Sequence, residues 1–407
     1  MKKSLLFVVC CLLFVRANAQ TLSLDSVLMR IEKNNPNLQM YNAKVNAINA
    51  YAEGAKNWEA PVVGTGLWMT PYKNPASTGS VMLSVEQMIP NQQKLKAKED
   101  YMLSMSSEQT ENKNYIQNQL FASAKNNYYG WIILKKKLIV LKESESLIGI
   151  MIKSAENNYS NSDGSLNVIY KTKARLAQLQ SMIAMKENEI RQKNFAINTL
   201  MNTDKNFLFD IDTTFQIKNY EINIPDSALF QNSRSDLKAL DKSADILRYK
   251  QTMESIKRKP DFGIRYNNMT PFSTGPNFFT VMGMMTIPIV PWSSKEYKAN
   301  VKGLDFEITE LQWEKQIIIN ETTGKLGTII FSIKNSKQQI KIYNESIIPA
   351  LQNNLNTSQL AYGQNKESLF VVLDAWEALN MARTEYLSKI EELLYLQVEY
   401  EKELEQK

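Results

Sequence analysis

Histidine is absent from this 407-residue chain, and its only two cysteines are Cys10 and Cys11. Both cysteines lie in the apolar part of a predicted signal peptide, so we expect the mature protein to contain none. Without cysteine there is no disulfide, no thiolate metal site and no cysteine nucleophile. Without histidine the chain also lacks the commonest general base. Because no cluster of Asp and Glu at strand ends replaces them, we predict that the protein is not an enzyme and holds no cofactor or metal.

The N-terminus has the three parts of a secretory signal. Residues 1–3 are basic, residues 4–15 are apolar but too few to span a bilayer as a stable helix, and residues 17–19 form a small-residue cleavage site. We predict that residues 1–19 are a signal peptide. Their removal takes away three basic residues and no acidic one, so the formal charge falls from +6 to +3. A charge this close to balance, on a secreted chain, gives no reason to expect a nucleic-acid partner.

Glycine is sparse, with 14 residues in the chain, and no phosphate-binding fingerprint is present. The pair Gly64 and Gly66 lacks the lysine and the following glycine of a phosphate loop. Nucleotide binding is therefore not expected.

Proline is concentrated in two windows, residues 60–91 and 259–292, which hold nine of its twelve copies. Proline breaks a helix interior, so the windows are predicted to be non-helical. Inside them, apolar residues alternate with other residues at a period of two, which indicates strands. The alternating apolar positions are Val81, Leu83 and Val85 in the first window and Phe262, Ile264 and Tyr266 in the second. Each window is predicted to be two strands joined by a polar turn.

The rest of the mature chain is predicted to be largely helical. Residues 92–157 contain no proline, and residues 293–354 contain only Pro349. At ~1.5 Å per residue the first run would extend roughly 100 Å if continuous. Each long run is followed by a break and a second helix, 165–201 and 368–405, and shorter helices, 24–58 and 226–258, precede the windows. The last helix carries apolar residues at the 3-4 spacing of helices that pack side by side.

The order of elements occurs twice, and short motifs recur with it. Residues 68–72, Trp-Met-Thr-Pro-Tyr, return at a shift of 200 as Asn-Met-Thr-Pro-Phe. This period is far longer than that of solenoid repeats, and it favours a duplicated half-molecule over chance similarity between amphipathic segments. We predict a first repeat over residues 20–203, a crossover over 204–225 and a second repeat over 226–407.

Four strands and helices of this length pose a packing problem. The helices cannot fold back on two hairpins as a compact globule, and four strands cannot close a barrel alone. Three copies would supply twelve strands, an even number suited to an outer-membrane barrel. Alternatively, the aromatic residues of the windows do not lie at a membrane interface and simply pack in the protein core.

The mature sequence resembles the TolC-type outer-membrane efflux proteins. The resemblance rests on the order and spacing of short segments along nearly the whole chain: Leu22-Ser23-Leu24-Asp25-Ser26-Val27, Asn34-Asn35-Pro36-Asn37-Leu38, Pro349 and Val372-Leu373-Asp374-Ala375. It implies a homotrimer in the outer membrane of a Gram-negative bacterium, with a twelve-stranded β-barrel continued by a periplasmic α-helical barrel. It also implies a gated exit duct of a tripartite efflux or type I secretion system. Its partners would be outer-membrane lipid, an inner-membrane pump and a periplasmic adaptor (membrane fusion) protein.

The two breaks between paired helices, residues 158–166 and 361–369, are the predicted hairpin ends. The resemblance implies that the adaptor contacts them, and the candidate contacts are Tyr159, Ser165, Leu166, Tyr362, Ser368 and Leu369. Alternatively, each of these residues only shapes its turn. The glycine that the family places three residues after the tyrosine is shifted at both ends, so the family's turn geometry does not carry over in detail.

Asp374 is the predicted pore constriction. In the family the matching position lies near the periplasmic end, where one carboxylate per protomer forms a ring that narrows the pore and favours cations. A second acidic residue expected three positions earlier is replaced by Val371, so only one ring is predicted. The alternative is a solvated helix residue without a gating role.

The cargo is open between heavy-metal cations, drugs and peptides. Seven methionines in the windows could suggest a path for soft metals: Met69, Met82, Met88, Met269, Met282, Met284 and Met285. The favoured interpretation is that they face lipid or pack at subunit contacts.

A periplasmic coiled-coil scaffold or adaptor without a membrane barrel is the alternative function, although such a protein would not need two duplicated strand hairpins.

Overall fold

The computed structural model describes residues 21–160, 165–215, 217–218, 230–364 and 366–405, so the predicted signal peptide lies outside the described residues. The long helices and short strands follow the predicted order. The first half contains β1 (Thr21–Leu22), α1 (Leu24–Asn34), α2 (Pro36–Glu53), β2 (Val62–Trp68), α3 (Pro75–Thr78), β3 (Ser80–Ile89), α4 (Gln92–Ser160) and α5 (Leu166–Leu200). The second contains β4 (Asp210–Ile211), α6 (Ser235–Ile256), β5 (Phe262–Pro271), β6 (Phe278–Met285), α7 (Pro291–Ile342), α8 (Ile348–Gly363) and α9 (Leu369–Leu404).

The chain divides into two compact units that do not coincide with the predicted repeats. The helical unit consists of Met1–Leu38, Ile116–Phe230 and Thr322–Lys407, and the strand unit consists of Gln39–Tyr115 and Gln231–Glu321. Each unit takes segments from both repeats, because like elements of the two halves pack together. The repeat boundaries at residues 203 and 226 therefore stay a prediction about duplication.

The strand unit contains a four-stranded antiparallel sheet in the order β2-β3-β5-β6. The two hairpins join along β3 and β5, where Met82 pairs with Met269 and Glu86 with Arg265. Trp68, at the end of β2, pairs with Ser80, which pairs in turn with Pro271 at the end of β5. The two repeated Met-Thr-Pro segments thus lie at the same edge of the sheet. β2 and β6 are its outer strands.

The predicted helix over residues 24–58 is divided at Asn35. The residue before a proline is disfavoured in the helical conformation, and Asn35 precedes Pro36 with an extended backbone (φ −66°, ψ 126°). Its buried side chain accepts a hydrogen bond from the Asn37 amide at 3.0 Å and donates one to the Leu200 carbonyl at 2.8 Å. The break therefore anchors α1 to the end of α5.

Pro349 is accommodated by a local change of helix type. Because proline lacks an N–H and its ring crowds the preceding turn, it interrupts the regular hydrogen-bond ladder. The chain passes through a π-helical turn, Tyr343–Ile347, and then resumes as α8 with Pro349 in its first turn. Wider turns of this kind let a helix continue past an interruption.

Several apolar clusters form the core of the helical unit, and one of them joins α4 to α9 through Ile133, Leu387, Ile390 and Leu394. Another cluster joins α1, α4 and α5 to the short parallel pair β1 and β4 through Val27, Ile31, Ile132, Ile197 and Ile211. A further cluster, described below, joins the hairpin ends. Among the described residues, no helix is long and apolar enough to cross a membrane.

The start of the crossover is held by Asn198, which is fully buried. Its Nδ2 donates to the carbonyls of Phe207 at 2.7 Å and Lys205 at 3.2 Å, and its Oδ1 accepts from Thr203 Oγ1 at 3.2 Å. α5 ends two residues later at Leu200, and Asn202, just beyond that end, has a φ of 52° in the left-handed region that asparagine tolerates better than most residues. These bonds fix the chain path from α5 to β4.

Candidate functional site

The two predicted hairpin ends lie at the same end of the helical unit. One apolar cluster contains buried residues from α4, α5, α8 and α9, including Ala155, Ile169, Leu355 and Leu373. Burying apolar side chains from four helices is the dominant stabilising term for such a bundle. The four helix ends therefore form one packed body.

Polar contacts also connect the two ends. The Tyr362 hydroxyl accepts a hydrogen bond from Asn158 Nδ2 at 2.9 Å and lies 3.4 Å from Ser154 Oγ. Lys171 Nζ lies 4.4 Å from the centroid of the Phe370 ring, a cation–π contact between α5 and α9. Asn158 begins a predicted hairpin end, but its bond to Tyr362 and the contact of Ser154 could not be predicted, because the partner lies more than 200 positions away.

The six predicted adaptor contacts differ in accessibility. Tyr159 and Leu166 are 47% and 44% exposed, and Ser165 and Ser368 are exposed at the starts of their helices. Tyr362 is half-buried because of the bonds just described, and Leu369 is buried in the apolar cluster. The surface available to a partner is therefore formed by Tyr159, Ser165, Leu166 and Ser368.

Asp374 lies on the exposed face of α9. This face repeats with 3-4 spacing through Val371, Asp374, Met381 and Glu385, while Val372, Leu373 and Trp376 of the same helix are buried. Farther along the face, Lys389 Nζ lies 3.9 Å from Glu385 and 3.1 Å from Glu392. Asp374 makes no ion pair or side-chain hydrogen bond within the described part of the chain. Its carboxylate is thus directed away from the bundle.

The four-stranded sheet has one polar and one apolar face. Side chains paired across antiparallel strands lie on the same face, so the register places Ser84, Glu86, Arg265, Asn267 and Thr280 together. Arg265 Nε and Nη2 donate to Glu86 Oε2 at 2.9 and 2.5 Å, and Asn267 Nδ2 donates to Thr280 Oγ1 at 3.0 Å. These charged and amide groups satisfy one another along this face.

The opposite face is apolar and open. Leu67, Leu83, Ile264, Phe279 and Val281 are 66%, 47%, 52%, 69% and 64% exposed. Asn267 on the polar face is only 7% exposed. Apolar side chains are thus more accessible than polar ones, the reverse of the arrangement in a water-soluble sheet. An exposed apolar surface of this extent marks a membrane or protein contact.

Five of the six methionines within the strands lie on the polar face, which differs from the expectation that they face lipid; packing at subunit contacts stays a prediction. Met82, Met88, Met269, Met282 and Met284 alternate in phase with Ser84, Glu86 and Arg265, whereas Met285 lies on the apolar face and Met69 follows the end of β2. The alternation of side chains along β3 is enough to place Met82 on the opposite face of the sheet from Val81 and Leu83. The common face of all five follows only once the register between β3, β5 and β6 is known.

Ion pairs support the helical unit away from the hairpin ends. Lys135 Nζ lies 2.5 Å from Asp210 Oδ1. Partial burial opposes ionisation of Asp210, but the hydrogen bonds from Lys135 and the Ile211 amide outweigh it and lower the pKa of the carboxyl. Burial raises the pKa of Tyr128 to about 12, and its hydroxyl donates to the Leu22 carbonyl at 2.9 Å. These groups hold β1 and β4 against α4 and offer no reactive centre.

A conventional metal site is also lacking. No group of three or more carboxylate, histidine or cysteine side chains capable of holding a metal ion occurs in the described residues.

Comparison with solved structures identifies the fold, although no family model and no curated protein sequence matches the chain. CusC, studied for folding and transmembrane channel formation, aligns with a TM-score of 0.76 at 14% identity over 94% of this chain and 91% of CusC. The outer membrane protein VceC of Vibrio cholerae aligns at 0.74 and 12% identity over 94% and 95%. The outer membrane channel CmeC of Campylobacter jejuni aligns at 0.73 and 13% over 94% and 85%. The chain therefore has the fold of these outer-membrane channels, and the predicted TolC-type fold is confirmed.

Proposed function

We propose that this chain is one protomer of a trimeric outer-membrane channel, the exit duct of a tripartite efflux or type I secretion system. The observation that carries the proposal is the sheet with an exposed apolar face on one side and a face of mutually hydrogen-bonded polar groups on the other. In a barrel the apolar face meets lipid and the polar face lines the interior. The likeness to solved outer-membrane channels supports the same assignment.

The dimensions of the strands suit a bilayer. β3 and β5 each have 10 residues, which at ~3.3 Å per residue and a tilt of about 45° covers roughly 23 Å of membrane thickness. The outer strands β2 and β6 run in opposite directions and pair with no further strand of the described chain. β6 of one protomer can therefore pair with β2 of the next, and three copies supply twelve strands.

A matched pair of substitutions on β3 tests the membrane assignment. Leu83→Lys places a charge on the apolar face, which costs about 2–4 kcal/mol near the bilayer midplane. Ser84→Lys places the same charge on the polar face, one position along the strand. We expect Leu83→Lys to reduce the detergent-stable trimer recovered from outer membranes, and Ser84→Lys to assemble with altered conductance in planar bilayers. Equal tolerance of both, or release of the native chain by alkaline washing, would instead favour a periplasmic scaffold.

The accessible hairpin-end residues are the proposed adaptor surface. Since the predicted mature chain has no cysteine, single cysteines at Tyr159, Leu166 and Ser368 can each carry a photo-crosslinker. We expect crosslinks in cells to a periplasmic partner from these positions and none from a cysteine at Leu369, which is 4% exposed. Crosslinks of equal strength from Leu369, or none from the exposed positions, would place the contact elsewhere.

A further inference from the structure

We propose that the polar face of the sheet carries a thioether site for a soft monovalent cation, such as Ag(I) or Cu(I). The site is formed by Met88 and Met284 on either side of Gly263, with Met282 beside them. Its role as a binding site for a transported ion rests on the proposed channel function. Binding itself can be tested on the purified protein.

The geometry begins with a glycine between two methionines. Met88 of β3 pairs with Gly263 of β5, which pairs with Met284 of β6, so the three residues form one row across the sheet. A β-carbon built on Gly263 would lie 2.5 Å from Met88 Sδ and 3.2 Å from Met284 Cε. Because Cε is bonded directly to the thioether sulfur, both sulfurs lie near the same glycine. Only a residue without a side chain leaves them this space.

The chemistry of the surrounding groups favours a soft cation. Thioethers are soft, uncharged ligands that suit Cu(I) and chemically similar ions, while carboxylate and carbonyl oxygens suit harder ones. The carboxylates adjoining the row are already paired: Glu86 receives two hydrogen bonds from Arg265, and Asp261, two residues before Gly263, lies 2.6 Å from Lys94 Nζ. In a chain without histidine, and with both cysteines in the predicted signal peptide, methionine supplies the soft ligands of the mature protein.

A second row of thioethers makes the arrangement suitable for passage. Met82 and Met269 pair directly across β3 and β5 on the same face. Met82 lies six residues from Met88 along β3, about 20 Å at the usual strand rise. Conduction requires sites that bind well enough to admit an ion and weakly enough to release it. Two weak sites, each with only two or three thioether ligands, meet that requirement better than one site that binds the ion tightly.

Titration with silver ion tests the site directly. Full-length protein with methyl-labelled methionine is purified in detergent and titrated with Ag(I), and the methionine methyl resonances are followed by NMR. We expect saturable shifts of Met88, Met282 and Met284. The double substitution Met88→Leu/Met284→Leu, which nearly conserves side-chain volume, should weaken Ag(I) binding by at least about tenfold, since even indirect partners of a metal typically contribute that much.

Met285→Leu on the apolar face is the matched control and should bind Ag(I) as the native chain does. Absence of shifts in the native protein, unchanged affinity in the double variant, or equal loss in the Met285 variant would overturn the site and assign these side chains to packing. Conductance in planar bilayers separates the two proposals. A conducting native protein that binds no Ag(I) refutes the site alone, while a protein that binds Ag(I) without conducting refutes the channel alone.

Discussion

Replacing Asp374 by asparagine removes a negative charge while keeping nearly the same side-chain shape. Asp374 is the carboxylate on the exposed face of α9 that has no partner within the described residues, whereas Glu385 and Glu392 share Lys389. An unpaired charge acts on a passing ion without compensation from a neighbouring cation. We therefore expect the substitution to reduce cation preference and to raise conductance if the acidic ring also narrows the pore.

The magnitude follows from the charge and the surrounding medium. A carboxylate roughly 6 Å from a monovalent cation in water attracts it by about 0.7 kcal/mol, so three copies in a trimer contribute about 2 kcal/mol, or roughly 30-fold in local cation enrichment. In salt near 0.1 M the screening length is about 10 Å, which reduces the enrichment to about sevenfold. Near 1 M salt the screening length is about 3 Å, and the local cation enrichment falls below about twofold.

Reversal potentials across a planar bilayer under a salt gradient measure this preference. The native channel should be more cation-selective than the Asp374→Asn variant at low salt, and the difference should nearly vanish at high salt. Glu385→Gln is the matched control, because it lies on the same helix face but already has a cation beside it, Lys389, which it shares with Glu392. Identical reversal potentials for the native and Asp374→Asn channels, or an equal change in Glu385→Gln, would refute the reasoning.

Three further substitutions, with Leu360→Ala as a control, test the packing that holds the helical unit. Asn198→Ala leaves two part-buried carbonyls without a donor, at up to about 1–3 kcal/mol each, so the thermal unfolding midpoint should fall. An unchanged midpoint would mean that water replaces the amide. Leu393→Ala removes a fully buried side chain and should cost about 2–5 kcal/mol, whereas Leu360→Ala at a 68% exposed position should be nearly neutral in the same denaturation assay. The lowered pKa of Asp210 means that its ion pair with Lys135 stabilises the fold above the unfolded-state pKa and is lost as the pH falls through the folded-state pKa. The native and Asp210→Asn proteins should therefore differ in stability near neutral pH and converge in acid; a gap that stays constant with pH would exclude this carboxylate as the cause.

The local elements followed from the sequence because their determinants are local. Proline placement bounded the strand windows, and the alternation of Phe262, Ile264 and Tyr266 with Gly263 and Arg265 correctly predicted the strand that the structure shows as β5. The break at Asn35 was missed although Pro36 was visible, since the apolar pattern continues on both sides of it. Pro349 was visible too, but whether it ends a helix or is absorbed by a π-helical turn depends on the packing around it.

Leu166 and Leu369 show what the sequence could not distinguish. Each is the first residue of the helix that follows a hairpin break and comes directly after a serine, yet Leu166 is 44% exposed and Leu369 is 4% exposed. An apolar residue at a helix start is compatible with either environment. The choice depends on which neighbouring helices cover it.

By itself, the sequence determined the periods: a period of two in the proline-bounded windows, 3-4 spacing in the long runs, and a shift of 200 that relates the halves. Period is a property of neighbouring residues, and backbone geometry converts it directly into strands and helices. Only the tertiary structure decided that β3 pairs with β5, that five methionines share a face with Glu86 and Arg265, and that Tyr362 reaches Asn158. These contacts join residues about half the chain apart, and their register is selected by the summed packing of both halves, which no local pattern contains.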